Sequence, residues 1–227
     1  MNRAAAILFD LDGTLVDTAP DMAGALNRLR VEEGNAPLPF HALRSSVSHG
    51  AARLVHVGFP LAEGDEFERL RHRFLQLYSE HLAEGTRLFD GIESALDGLE
   101  RETLPWGIVT NKPGWLTDPL LRALGLTPRV ACVVSGDTVA ERKPHPLPLL
   151  HAARTLSVDP AQCVYVGDAE RDVIAGRAAG MMTVAAAYGY LEASENPALW
   201  SPDGIIDRPE RVLDWIYPPR SFNRASA

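Results

Sequence analysis

The stretch Ile7-Leu8-Phe9-Asp10-Leu11-Asp12-Gly13-Thr14-Leu15 decides how the rest of the chain is read. An apolar run that stops abruptly at two carboxylates one residue apart has the form of a buried strand ending in a polar loop. Side chains repeat direction every two residues along a strand, so Asp10 and Asp12 start on the same side and are able to share one site. Two like charges that close need an offset, and a divalent cation with hard oxygen ligands is the commonest one. A strand running into an Asp-Gly turn is equally ordinary in any globular protein. The stretch alone leaves both readings standing.

Downstream of it, residues 16 to about 85 carry helical spacing and no convincing strand. Asp17-Thr18-Ala19-Pro20 supplies a polar cap with proline in the first turn, and Met22, Ala25, Leu26 and Leu29 follow on one face before Gly34. A proline-rich link at 37–39 leads to a helical stretch around 41–47. Ser48-His49-Gly50 breaks the pattern before it resumes at 51–57. The clearest helix is 65–83, with Phe67, Leu70, Phe74, Leu77, Tyr78 and Leu82 as its apolar stripe.

Beyond residue 86, strand-like runs at 106–110, 130–134, 163–166 and 183–187, with a weaker one at 204–207, alternate with helical segments near 92–101, 115–124, 146–156 and 171–179. Continuous apolar strands joined through helices predict a parallel sheet covered on both faces. The run ending at Asp10 has the same character and belongs with them. The predicted architecture is α/β: a parallel-sheet core of residues 1–15 and 86–227, with an all-helical unit at 16–85 inserted after the first strand. The end at 218–227, rich in Pro, Ser and Arg, is expected to be loosely held.

The 227 residues carry a formal charge of -8, and no block of basic residues relieves it, which argues against nucleic acid or an anionic membrane as partner. No apolar run approaches the roughly 20 residues of a membrane span, and the one before Asp10 is too short for a secretory signal, so a cytoplasmic protein is expected. Cys132 and Cys163 lack the spacing of a zinc or redox pair and are expected to be buried, reduced and structural. Oligomeric state is left open between monomer and homodimer. Arginine is abundant, yet the only lysines are Lys112 and Lys143. A chain that uses arginine elsewhere keeps lysine where a compact point charge suits better than a planar fork.

Four strand ends carry groups that phosphate chemistry uses. The first has Asp10 and Asp12, and the next has Thr110-Asn111-Lys112. Arg142-Lys143-Pro144 follows the third, and Gly167-Asp168-Ala169-Glu170-Arg171-Asp172 the fourth. Ligands of open α/β sheets bind beyond the carboxyl ends of the strands, where these groups converge. One carboxylate is able to attack phosphorus, a second to move protons, and hydroxyl, amide and ammonium donors with Mg²⁺ to hold phosphoryl oxygens.

Asp10-Leu11-Asp12-Gly13-Thr14, Thr110-Asn111, Lys143-Pro144 and Gly167-Asp168 with Asp172 resemble the four ordered motifs of the haloacid dehalogenase superfamily. The stretches around residues 15–21, 109–113, 136–146 and 188–190 are similar both to phosphoglycolate phosphatases and to N-acetylmuramic acid 6-phosphate phosphatases. The resemblance implies a helical cap over a Rossmann-like core, Asp10 as nucleophile and Asp12 as general acid/base. It implies phosphoryl binding by Thr110 and Lys143 with help from Asn111. Mg²⁺ is implied among the Asp10 side chain, the Asp12 main-chain carbonyl and Asp168, with Asp172 a direct or water-mediated ligand. Ala169 departs from relatives that place an acidic or hydroxyl residue there. The implied activity is hydrolysis of a small organic phosphate, 2-phosphoglycolate first and N-acetylmuramic acid 6-phosphate or another sugar phosphate second. A phosphosugar mutase and a phospho-accepting regulatory module are the alternatives. A cap lysine of the Schiff-base kind is missing from 16–85, which sets phosphonate hydrolases aside.

In the cap, Ser48, His49, Gly50 and Arg53 stand at the helix break, where a substrate-specificity loop is expected. His49 reads equally as an exposed loop residue and Arg53 as part of a solvated helix face. Lys112 is balanced between a rim position and a functional one.

Overall fold

The computed structural model describes residues 3–192 and 194–218. Ala6–Phe9 form strand β1 and Val16–Asp17 a two-residue β2, followed by helices α1 (Ala19–Glu32), α2 (Phe40–Leu43), α3 (Gly50–Gly58) and α4 (Gly64–Glu80). Then come β3 (Arg87–Leu88), α5 (Ile92–Arg101), β4 (Trp106–Val109), α6 (Gly114–Ala123) and β5 (Cys132–Val134). The chain continues with α7 (Leu147–Thr155), β6 (Cys163–Gly167), α8 (Glu170–Ala178), β7 (Met182–Ala186) and β8 (Gly204–Ile206).

Six strands make one parallel sheet in the order β5-β4-β1-β6-β7-β8. Every residue of β1, β4 and β6 is buried, as expected of strands covered on both faces. β1 shows why its run is apolar throughout. Ile7 and Phe9 enter a cluster with Leu96, Leu99 and Trp106, while Ala6 and Leu8 enter another with Leu149, Ala152 and Tyr165. The chain leaves β1 toward β4 and β5 on one side and returns to β6 on the other, so β1 lies at the reversal of strand order where α/β sheets open a crevice. The α/β Rossmann-like core is therefore present.

Helices α1 to α4 pack on one another around a cluster of their own. Leu26, Leu29, Leu43, Leu54, Phe74 and Tyr78 lie at its centre, and Leu116 and Tyr190 join it from the sheet side. The stripe at 65–83 explains this: Leu70, Phe74, Leu77 and Tyr78 are its buried members.

Three local expectations are corrected. The segment 16–85 is not purely helical, because Val16–Asp17 pair antiparallel with Arg87–Leu88 at the root of the helical layer. Two residues are too few for a period-two pattern to register. The stretch 41–47 divides into α2 and a 3₁₀ segment at Arg44–His49. α4 ends at Glu80 and not at residue 83, where Ala83 takes a positive φ of 65° that turns the chain back to the sheet. Apart from Pro218, the end at 218–227 lies outside the described residues.

Cys132 and Cys163 are buried free thiols, and burial pushes their pKa up to about 11 and about 12. Among the described residues no helix is long and apolar enough to cross a membrane.

Leu26 is fully buried in the helical cluster, whereas Leu61 is 93% exposed. Leu26→Ala is expected to lower the free energy of unfolding by about 2–5 kcal/mol, and Leu61→Ala by less than about 0.5 kcal/mol. Urea denaturation followed by circular dichroism checks both.

Candidate active site

The site is built where β1, β4 and β6 end. Asp10 follows the last residue of β1, its amide still donating to Val166 O as if the strand continued. Its carboxylate is 2.9 Å from Lys143 Nζ and accepts from the Leu11 amide at 2.7 Å. Asp12 lies in the turn beyond β1, lines the same cavity as Asp10 and carries its own cation: Lys112 Nζ lies 3.0 Å from Oδ1. The two lysines of the chain thus stand one on each of the two carboxylates.

Thr18 heads α1, but its hydroxyl does not cap the helix. It donates to Asp12 Oδ1 at 2.6 Å. The Ala19 amide donates to Tyr190 Oη at 2.9 Å and, more weakly, to Asp17 at 3.3 Å.

Thr110 and Asn111 follow β4 and line the same cavity as Asp10 and Asp12. Asn111 is occupied in a particular way. Its amide nitrogen donates to Lys143 O at 2.9 Å and its amide oxygen accepts from Lys143 N at 3.0 Å. It clamps the main chain that carries Lys143, so its help is to place that ammonium. Lys143 is fully buried and donates to Asp172 Oδ1 at 2.8 Å and to Tyr165 Oη at 2.7 Å; Tyr165 in turn donates to Val109 O at 2.9 Å.

Asp168 follows β6 and is 1% exposed. It accepts from Thr14 Oγ1, from the Tyr190 amide at 3.0 Å, and from Ser48 Oγ, which reaches down from the helical layer. Asp172 reaches back to the Ala169 amide at 3.1 Å, closing the first turn of α8. Asp10, Asp168 and Asp172 present carboxylate oxygens all within 4.8 Å of one another. Burial raises the pKa of Asp168 to about 7, with Asp10 and Asp172 adding to the rise. Burial also raises that of Asp10, Asp172 adding and Lys143 opposing.

This donor set fits a hard divalent cation, which binds carboxylate oxygens and offsets their repulsion. The glycine after Asp12 keeps the place open. Gly13 has φ +87°, and a Cβ there would stand 2.1 Å from Asp168 Oδ2.

The cavity has a volume near 540 Å³. Asp10, Asp12, Thr110 and Lys112 line it, together with Leu75, Tyr78 and Trp115. Ser48, His49 and Gly50 line it from the helix break. Arg53 is not brought in: it is exposed and its guanidinium lies 3.6 Å from Glu192. Arg171, inside the fourth motif but given no role by sequence reasoning, lines the cavity and donates to Ser48 O. Tyr165 and Tyr78 were also missed. Both sit in apolar runs, and nothing in a sequence pattern separates a tyrosine that packs from one whose hydroxyl meets a buried ammonium.

A doubly wound α/β fold with lysine-paired carboxylates past the central strand defines the class, an α/β enzyme with a carboxylate-centred site. The chain belongs to the haloacid dehalogenase-like hydrolase family, whose model matches residues 7–186. It is 45% identical over 216 residues to a phosphoglycolate phosphatase of Xanthomonas campestris pv. campestris, covering 94% of this chain and 98% of that one. It is 41% identical over 213 residues to an N-acetylmuramic acid 6-phosphate phosphatase of Pseudomonas aeruginosa, covering 93% and 94%. Among solved structures, a predicted phosphoglycolate phosphatase from Haemophilus somnus superposes with a TM-score of 0.84 at 28% identity, covering 94% of this chain and 98% of that one.

Asn111→Ala removes both bonds to the Lys143 main chain. A loss of about 1–3 kcal/mol of stability is expected, measured by urea denaturation. Asn111→Asp, which sets a carboxylate oxygen against Lys143 O, is expected to lose at least as much.

Proposed function

We propose that this phosphatase is an Mg²⁺-dependent phosphomonoesterase that passes the phosphoryl group of a small organic phosphate through Asp10 to water. One observation carries the reading. A buried carboxylate at the end of the central strand is held by Lys143 at 2.9 Å, shares ligand distance with Asp168 and Asp172, and opens onto the cavity.

The chemistry follows from the placement of the groups. Asp10 attacks phosphorus, the ester P–O bond breaks, and Asp12 gives its proton to the departing oxygen. Water then attacks the aspartyl phosphate while Asp12 takes a proton from it. Phosphate leaves and Asp10 is restored. Lys143 and Thr110 donate to the phosphoryl oxygens throughout, where a buried donor is worth more than in water. Asn111 keeps Lys143 in place. Asp10, Asp168 and the Asp12 main-chain carbonyl would hold Mg²⁺, with Asp172 reaching it directly or through water; when bound, the ion supplies positive charge to the transferring group. Residues 16–85 act as a cap that excludes water, its Ser48-His49-Gly50 segment facing the substrate.

The relatives at 45% identity named phosphoglycolate phosphatase put 2-phosphoglycolate first. N-acetylmuramic acid 6-phosphate is the second reading, on a separate observation. A cavity near 540 Å³ with Leu75 and Trp115 on its wall lies in the range of far larger ligands than a two-carbon acid. A phospho-accepting module without turnover is disfavoured, since it needs neither a second carboxylate on the leaving-group side nor a substrate cavity.

Asp10→Asn is expected to lower kcat by on the order of 10³-fold or more with an unchanged circular dichroism spectrum. Retained turnover rules out the nucleophile. EDTA is expected to abolish hydrolysis and Mg²⁺ to restore it. Comparing kcat/KM for 2-phosphoglycolate and N-acetylmuramic acid 6-phosphate decides the substrate.

A further inference from the structure

Lys112 is a charged residue buried at the site to which the hydrolytic scheme gives no work. Its ammonium lies 3.0 Å from Asp12 Oδ1 and 3.4 Å from Oδ2, and it donates to Tyr78 Oη at 2.9 Å. Thr18 Oγ1 grips the same Asp12 oxygen from the other direction. The Lys112 side chain is only 5% exposed and Asp12 17%, so water does little to hold either group. A lysine buried this far is tolerated only with its donors satisfied.

The origin of the partners is the informative part. Lys143 takes Asp10, Asp172 and Tyr165 from the sheet side alone. Lys112 is anchored after β4, its acid comes from the loop after β1, and its phenol comes from α4 of the helical layer. Tyr78 is itself fully buried, with Phe74 stacked beside it, so the hydroxyl is delivered from a fixed place. Neutralising the ammonium required only Asp12. The tyrosine adds a mechanical link between the helical layer and the carboxyl group proposed to move protons.

We propose that Tyr78 and Lys112 are a positioning couple that holds the Asp12 carboxyl group on the leaving-group oxygen, so that protonation of that oxygen depends on the seating of α4 over the site. The proposal rests on the reading of Asp12 as general acid. Proton transfer needs heavy atoms within roughly 2.6–3.2 Å, and a carboxyl group free to turn about its side-chain torsions leaves that window. When the ester P–O bond breaks, its electron pair stays on the leaving oxygen and the Asp12 proton moves there. The ammonium beside Asp12 then faces the carboxylate charge that remains. Attack by Asp10 on phosphorus needs none of this, and Asp12 serves either ester alike when water attacks the aspartyl phosphate, so esters with different leaving groups are separated in the first step alone.

That separation makes the couple testable. An alkyl phosphate releases a strongly basic alkoxide and needs the proton, whereas p-nitrophenyl phosphate releases a stabilised phenolate and does not. The alkyl ester is 2-phosphoglycolate or N-acetylmuramic acid 6-phosphate, whichever is turned over faster. In single turnover, Tyr78→Phe and Lys112→Met are expected to slow release of its alcohol by about 10-fold and about 100-fold, within the range of general acid catalysis. On p-nitrophenyl phosphate the same variants are expected to slow the burst of p-nitrophenolate, which reports the first step alone, by less than about threefold, Tyr78→Phe being the variant that leaves the Lys112–Asp12 ion pair intact. Lys112→Arg, which keeps a cation, is expected to recover part of the alkyl rate. Equal losses on both esters, or no loss on either, overturn the proposal. Asp12→Asn is the control. If it shows no alkyl-against-aryl split, the acid role itself fails; if it splits while Tyr78→Phe and Lys112→Met do not, the couple alone fails. Asp10→Asn is expected to silence both esters.

Discussion

A carboxylate carried to the end of a fully buried central strand loses its water, and the loops around it have to supply what water supplied. Asp10 is in that position, 4% exposed with the sheet beneath it. Burial and the neighbouring Asp172 disfavour its charge, and Lys143 opposes them. Lys143 is in turn held by Asp172, Tyr165 and, through its main chain, Asn111. Three strand ends and the loop after β5 are thereby tied to one carboxyl group. The site cannot be loosened at one of these residues without leaving a buried polar group unmet at another.

The same logic explains the distribution of cations. Arginine handles the surface in fork geometry, as where Arg69 and Arg73 of α4 meet Glu33, just past α1, and Glu32 at its end. Arg129 gathers Glu93, Asp97 and Glu100 in one cluster. These pairs are largely exposed and contribute little each. On the two buried carboxylates at the strand ends, an ammonium with three donors suits a carboxylate plus a phenol. Lys143 meets Asp10 and Tyr165, and Lys112 meets Asp12 and Tyr78. The two lysines are built alike: each sits over a tyrosine ring, at 5.4 Å and 4.5 Å from its centre.

Sequence pattern made the sheet legible because buried parallel strands are apolar throughout and stop where the chemistry begins. Asp10, Thr110 and Asp168 were readable for that reason, each being the first polar side chain after such a run, with Asp12 and Asn111 close behind the first two. The pattern was silent where a residue does two things at once. Thr18 looks like a helix cap and acts on Asp12; Tyr78 looks like one more member of an apolar stripe and acts on Lys112. Arg53 shows the reverse case, a plausible fork whose place on α3 leads it to Glu192 and away from the cavity. The β2 and β3 pairing was hidden by its length alone.

Gly13 is the residue whose meaning changes most between the two levels. In sequence it marks an Asp-Gly turn, the ordinary explanation of the motif. In space its positive φ and missing Cβ let Asp168 approach, and Gly189 does the same from the other side, where a Cβ would stand 2.4 Å from Asp168 Cβ. A third absence, at Gly167, admits Asp172. The carboxylates converge because backbone has been pared away where they meet, so turn and site are one feature. The cost of that paring is that the loops lose side-chain packing. Polar bonds replace it: Tyr190 N and Ser48 Oγ on Asp168, Tyr188 Oη on Thr14 O, and Arg44 with Tyr190 on Asp17. Ser48 and Arg44 come from the helical layer, which therefore completes the polar shell of the site as well as covering it.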